Sequence, residues 1–175
     1  MNLFAAAWGL AEATLFFVVP DVLLTSLAVI SRRRALIACA FALGGALLGG
    51  AIVFAWGLHH PQAALATLTR IPGIEDATLA RVEGTLRQDG LASMFLGPWS
   101  SLPYKVYAVQ SARLGFGLPA FLGMSIPARF LRFAVLVFFF HALGRTLLRT
   151  RSPKQRVAFV LALWTLFYVW FLGVR

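Results

Sequence analysis

The sequence predicts an all-α polytopic membrane protein with two re-entrant helical hairpins, about three transmembrane helices and an inverted repeat relating its halves. Three observations point there. Of 175 residues, 60% are hydrophobic and only 13% charged, against roughly 45–50% and 25% in soluble domains. Three apolar runs are long enough to cross a bilayer, which takes about 20 residues. Two further apolar runs are cut by prolines that a charged residue follows closely.

The length suits a single membrane domain, 1–175. Lys and Arg number 16 against 6 Asp and Glu, a formal charge of +10. In a soluble chain that balance would point to nucleic acid. Here the basic residues cluster at span ends, where cytoplasmic retention and anionic lipid account for them, so no nucleic-acid partner is expected. Cys39 is the only cysteine and lies in an apolar run, which leaves no disulfide framework. No metal or cofactor is expected, since the His59-His60 pair lacks further ligands. Met1 to Leu10 holds no basic residue and Glu12 interrupts the run, so no cleavable signal is expected.

The first segment, 3–30, reads LFAAAWGLAEATLFFVV, then Pro20-Asp21, then VLLTSLAVI. A residue before proline is pushed out of the α region, so a helix ends near Val19. Asp21 is placed to cap the next helix. Each piece is too short to cross alone, and a re-entrant hairpin fits both facts; one kinked span is the alternative. Ser31 to Arg34, SRRR, marks a cytoplasmic end. Residues 35–58 carry no charge and form the clearest span. Gly45 and Gly49 have the small-xxx-small spacing that lets two helices approach closely.

Residues 61–89 hold Glu75, Asp76, Glu83 and Asp89 and read as an amphipathic interfacial segment. Glu83 and Arg87 make an i,i+4 pair. Residues 91–113 repeat the broken pattern, with breaks at Pro98 and Pro103 and Lys105 close behind, forming the second hairpin. The stretch 117–147 is a proline-kinked segment and span, with the span from about 126 and Arg129 and Arg132 near one end. A basic loop from Arg145 to Arg156 follows, then a third span over 157–174, whose aromatics suit a headgroup belt. VVPDVLLTSL and SLPYKVYAV look like counterparts in the two halves, as an inverted repeat requires.

An ion in the bilayer core costs at least about 2.5–3.5 kcal/mol, so each needs a partner or water. The candidate acids, for proton handling or ion pairing, are Glu12 and Asp21. The candidate cations, for an anionic headgroup, are Lys105, Arg129 and Arg132, with Tyr104 beside them. The two sets are expected to meet where the hairpin tips meet. Arg113 reads as snorkelling to the interface, and His141 as donating to a backbone carbonyl of a neighbouring helix. No GxSxG, HExxH or P-loop is present, so enzymatic activity is not expected.

Glu12 with Pro20-Asp21, then Gly45 and Gly49, then Pro103-Tyr104-Lys105-Val106-Tyr107, then Arg129, Arg132 and Phe133 resemble the DedA superfamily over about residues 8–147. The superfamily is also called the VTT or SNARE-associated Golgi protein domain, and the YqaA-like branch is the nearest. The resemblance implies a bacterial inner-membrane protein with two facing re-entrant hairpins. Members are implicated in moving lipids, including undecaprenyl phosphate, between leaflets and in envelope maintenance. It also implies that acids on the first hairpin and basic residues on the second matter for function. Lys105 stands where the family's Pro-x-x-Arg motif carries arginine. The expected function is a transporter or scramblase (a flippase in the broad sense) for an anionic lipid headgroup, coupled to protons. The alternative is a non-transporting scaffold or envelope-maintenance factor whose buried charges are structural pairs. The expected partners are membrane lipids, with room for a homo-oligomer.

Overall fold

A computed structural model describes residues 1–95 and 102–173. Among these residues the chain is all helical. The helices are α1 (Asn2–Thr14), α2 (Asp21–Ala28), α3 (Arg32–His59), α4 (Pro61–Leu68), α5 (Asp76–Asp89), α6 (Tyr104–Arg113), α7 (Leu118–Arg145) and α8 (Pro153–Gly173), with a 3₁₀ turn over Gly90–Phe95. Three of them, α3, α7 and α8, are long and apolar enough to cross a membrane.

The helix α3 begins at Ser31, whose side chain accepts from the Arg34 N–H at 3.4 Å. Three arginines at a helix N-terminus oppose the helix dipole. The cost is modest, and the same arginines anchor a span end. On its inner face α3 is lined by small residues, and α1 lies directly on them. A Cβ at Gly45 would run into the Ala6 carbonyl, and one at Gly9 into the Ala42 carbonyl. At Gly49 it would meet the Ala13 side chain and the Leu10 carbonyl. Backbone contact of this kind is open only to residues without a side chain, and it offsets what Gly45 and Gly49 cost the helix.

The structure alters the expected start of the second long helix. It runs from Leu118, with Pro127 inside it. Proline at 127 has no N–H to give the Gly123 carbonyl four residues back, yet the helix continues through it. Arg129 and Arg132 therefore lie about 16 and 21 Å along a helix roughly 42 Å long, near its middle rather than near one end.

The segment 61–89 differs as well. It divides into α4 and α5, and α5 does not lie alone at an interface. Val82 and Leu86 are buried in the same cluster as Val106 and Val109 of α6. Every residue from Tyr104 to Ala112 is buried, so α6 is a central helix covered by α3, α4 and α5. Pro98, expected as a hairpin break, lies outside the described residues.

Near the end of α7, Gly144 packs against the Val29 backbone, and the Arg32 guanidinium sits 5.7 Å from the centre of the Phe138 ring. These contacts bring the end of α7 beside the start of α3, so the SRRR flank and the Arg145–Arg156 loop occupy one end of the molecule. Arg156 folds that loop by donating to the carbonyls of Arg149 at 2.9 Å and Arg151 at 3.0 Å.

Candidate functional site

The break between α1 and α2 is the foundation of the site. Thr14 turns its hydroxyl onto the Leu10 and Ala11 carbonyls, the Phe16 N–H closes on Ala11 at 2.8 Å, and the helix stops. Residues 15–20 then need partners for the backbone groups that the helix no longer pairs. Side chains from three other elements provide them. The Trp8 indole donates to the Val18 carbonyl at 2.9 Å. The Tyr168 hydroxyl accepts from the Val19 N–H at 3.0 Å. The Lys105 ammonium donates to the Phe16 carbonyl at 2.7 Å.

Both acids expected to do the work are buried, Asp21 completely. Their partners are the two arginines of α7. The Arg129 Nη2 donates to Glu12 Oε2. Arg132 reaches Asp21 Oδ2 through both Nε, at 3.0 Å, and Nη2. The spacing explains the arrangement: residues 129 and 132 are one turn apart on one face of α7, and the two acids are presented by α1 and by the first residue of α2. Asp21 thus does not cap α2, whose N-cap is Pro20 with no side-chain cap bond. A guanidinium is the stronger partner for a buried carboxylate than an exposed N–H would be.

Lys105 joins the same place without pairing to either acid. It is 3% exposed, and among the described residues its only hydrogen bond is the one to Phe16. Tyr104 gives its ring rather than its hydroxyl. The Arg129 guanidinium lies 4.3 Å from the ring centre, while the hydroxyl donates to Ser125 at 3.0 Å and Ser125 donates to Phe121 at 2.7 Å. Gly50 makes room for this ring, because a Cβ there would collide with it.

These groups line one cavity of about 500 Å³, within the usual range for a small-ligand site. Glu12, Asp21, Lys105, Arg129 and Arg132 are all on its wall, with the Ile71–Ile74 turn, Pro103 and the α8 aromatics around them. Two buried polar atoms of these lining residues, Asp21 Oδ1 and Arg129 Nε, have no hydrogen-bond partner among the described residues. Two carboxylates against two guanidiniums and one ammonium leave a formal excess of one positive charge.

Other expected residues fall elsewhere. Gly45 and Gly49 hold α1 against α3 behind the site. Arg113 is tied to the surface of α5, donating to Gln110 at 2.5 Å and lying 3.5 Å from Glu83, rather than snorkelling free. His141 Nδ1 lies 3.1 Å from the Ala28 carbonyl, which can only accept, so that nitrogen carries the proton.

The structure adds α8 to the site. Trp164 donates to Thr25 at 2.9 Å and Tyr168 meets Val19. Trp164 is thus turned toward α2 and Tyr168 toward the segment that leads into it. One signal was present in the sequence: Trp164 and Tyr168 are four apart, on one helical face. Compared with known proteins, the chain matches no family model, no curated protein and no solved structure.

Proposed function

We propose that this protein is a DedA-like membrane transporter or scramblase for an anionic lipid headgroup, coupled to protons and resident in a bacterial inner membrane. The observation that carries the reading is Lys105. A buried ammonium with no carboxylate costs several kcal/mol unless something compensates it. One backbone carbonyl is a partial answer, and an anion in the adjoining cavity completes it. Arg129 Nε is a further N–H donor without a partner among the described residues, and Asp21 Oδ1 is an acceptor for a proton or a headgroup hydroxyl. A phosphate would take donors from Arg129 and Lys105 together. On binding it competes with the two acids for the arginines, and a carboxylate released from its guanidinium in a dry site takes up a proton. That exchange is the proposed coupling.

Support for the re-entrant reading of the first hairpin comes from its ends. Ala13 packs at Gly49 well along α3, while Ala28 shares a cluster with Ala35 and Ala38 near the start of α3. The chain thus climbs with α1 and comes back with α2. Lys105 on α6 meeting Phe16 brings the two proline-broken regions together, as the inverted-repeat plan requires.

The alternative, a non-transporting scaffold, has one observation in its favour: both acids already have arginine partners. Reconstitution separates the two. Proteoliposomes are assayed for exposure of labelled inner-leaflet anionic headgroups. The expected result is exchange above protein-free vesicles, abolished by Glu12→Gln with Asp21→Asn and strongly reduced by Lys105→Gln. Wild-type protein no faster than empty vesicles, or no slower after the double substitution, overturns the transport reading.

A further inference from the structure

The buried apolar residues form two clusters at opposite ends of the molecule. One, with Ala28, Ala35, Ala38 and Val137, lies at the end that carries the SRRR flank and the Arg145–Arg156 loop. The other, with Phe54, Leu68, Ile71, Ile74 and Val109, lies at the far end. The charged cavity reaches toward both, and the two ends are built differently. At the basic end α7 and α2 meet backbone to backbone: a Cβ at Gly144 would run into the Val29 carbonyl, and His141 Nδ1 lies 3.1 Å from the Ala28 carbonyl. Phe140, on the cavity wall, packs against the cluster there. At the far end, part of the wall is one turn of chain, Ile71 to Ile74.

That turn has an inside and an outside. Ile71 and Ile74 are 9% and 3% exposed, while Pro72 between them is exposed, as are Arg70, Glu75 and Asp76 on either flank. Charged residues on both sides make its outer face one that meets water. Its inner face lines the charged cavity, so the thickness of a single turn separates that cavity from solvent. Two isoleucine side chains offer water nothing to bond, and a constriction of this kind closes by staying dry. The turn also keeps its own shape: the Ile74 N–H donates to the Ile71 carbonyl at 3.1 Å, Pro72 fixes one middle position and Gly73 takes a φ of 93° at the other. Residues 69–75 belong to no helix, so the turn can swing as a unit without breaking bonds within α4 or α5. We infer that the Ile71–Ile74 turn is the aqueous gate of the charged cavity, admitting water and small ions from the end opposite the basic loop. This goes beyond the transport reading, since it concerns the route to Glu12, Lys105 and Arg129 and not the ligand they hold.

The test measures how fast a thiol inside the cavity reacts with a membrane-impermeant sulfonate methanethiosulfonate. The full-length protein is held in lipid nanodiscs, which leave both ends open to solvent. Cys39, the only native cysteine, is replaced by alanine. Ala128→Cys places the thiol on the cavity wall, where Ala128 is buried, and Thr150→Cys, in the exposed basic loop, gives the reference rate. The thiol at 128 is expected to react far more slowly than the one at 150. Ile71→Ala with Ile74→Ala is expected to speed it at least about tenfold, because the closed turn loses much of its buried contact. Phe140→Ala with Leu163→Ala, which loosens the basic end of the cavity, is expected to leave the rate unchanged. If the double alanine turn does not fold, judged by circular dichroism, Ile71→Thr makes the same face polar at smaller cost in volume and is expected to speed the reaction in the same direction. A thiol at 128 that reacts as fast as the one at 150, or a rate that neither turn variant changes, overturns the gate. So does a larger acceleration from the Phe140 and Leu163 changes, which would put the entrance at the basic end. None of these outcomes depends on whether the protein moves lipid.

Discussion

Two groups of ion pairs in this molecule use the same chemistry in opposite surroundings. On α5, Glu83 meets Arg87 at 2.8 Å and Arg113 at 3.5 Å, with the Arg87 side chain 63% exposed. In the cavity, Glu12 meets Arg129 and Asp21 meets Arg132, and the Asp21 side chain is 1% exposed. An exposed pair gives about 0–1 kcal/mol, because water serves either partner nearly as well. A buried pair is different in kind: it is weak evidence for stability as a pair, but removing one member strands the other. The interior pairs thus make each charge dependent on its partner, and the surface cluster does not.

The sharpest way to break this contrast is to remove one partner on each side. Arg132→Leu is expected to destabilise by about 3–5 kcal/mol or prevent accumulation, while Arg87→Leu costs under about 1 kcal/mol. Thermal unfolding in detergent, followed by tryptophan emission, reads both. Equal effects would sink the distinction. The double change Asp21→Leu with Arg132→Leu should recover most of the lost stability, since an apolar replacement leaves no stranded charge, and should still abolish transport.

Next in size is the packing that holds α1, with Glu12, in place. Gly45→Ala drives a methyl into the Ala6 carbonyl and is expected to cost about 1–3 kcal/mol. Its neighbour Gly44 has open space around the same position, so Gly44→Ala should be neutral or stabilising by up to about 1 kcal/mol through helix propensity. The same melting experiment compares them, and opposite signs are the expected outcome. Tyr168→Phe leaves the Val19 N–H without its partner, a loss of about 1–3 kcal/mol. Hydrogen exchange at residues 15–20 should rise in that variant while exchange in α5 stays unchanged.

The smallest effect belongs to the surface. Hydrogen bonding from Arg87 holds the Glu83 carboxyl below its ordinary value. A depressed folded value means its stabilisation is complete above the unfolded value of about 4.3 and is lost as pH falls through the folded one. Glu83→Gln should therefore cost less than about 1 kcal/mol at pH 7 and less still at pH 3. A larger loss at pH 3 than at pH 7 would contradict that sign.

Much of the architecture was legible because membrane helices announce themselves by composition. The uncharged run 35–58 is in the structure and α2 starts directly after Pro20, but α1 ends at Thr14 rather than near Val19, because Thr14 and the Phe16 N–H close the helix early. The two acids and two arginines were legible for the same reason: ions within apolar runs demand an explanation. Which acid meets which base was not. Asp21 read as a cap, and Lys105, Arg129 and Arg132 read alike as candidate cations, because pairing depends on the rotation of α7 about its own axis, and that is set by packing. Pro127 misled about where α7 begins, since proline strongly predicts a boundary and here the helix continues through it. The role of α8 was hidden because an aromatic in an apolar helix looks the same whether it faces lipid, headgroup or protein.

The loose attachment of α8 has a further consequence. Both acid–arginine pairs and the Lys105 bond lie entirely within residues 12–132, while α8 contributes one wall and two hydrogen bonds. The two acid–arginine pairs are thus complete, and Lys105 has its one carbonyl, before α8 is reached. A chain ending at Ser152 retains every one of those contacts, and a separately supplied helix can restore the missing wall. The wall that α8 supplies is in this sense interchangeable, and the part that pairs the charges is not.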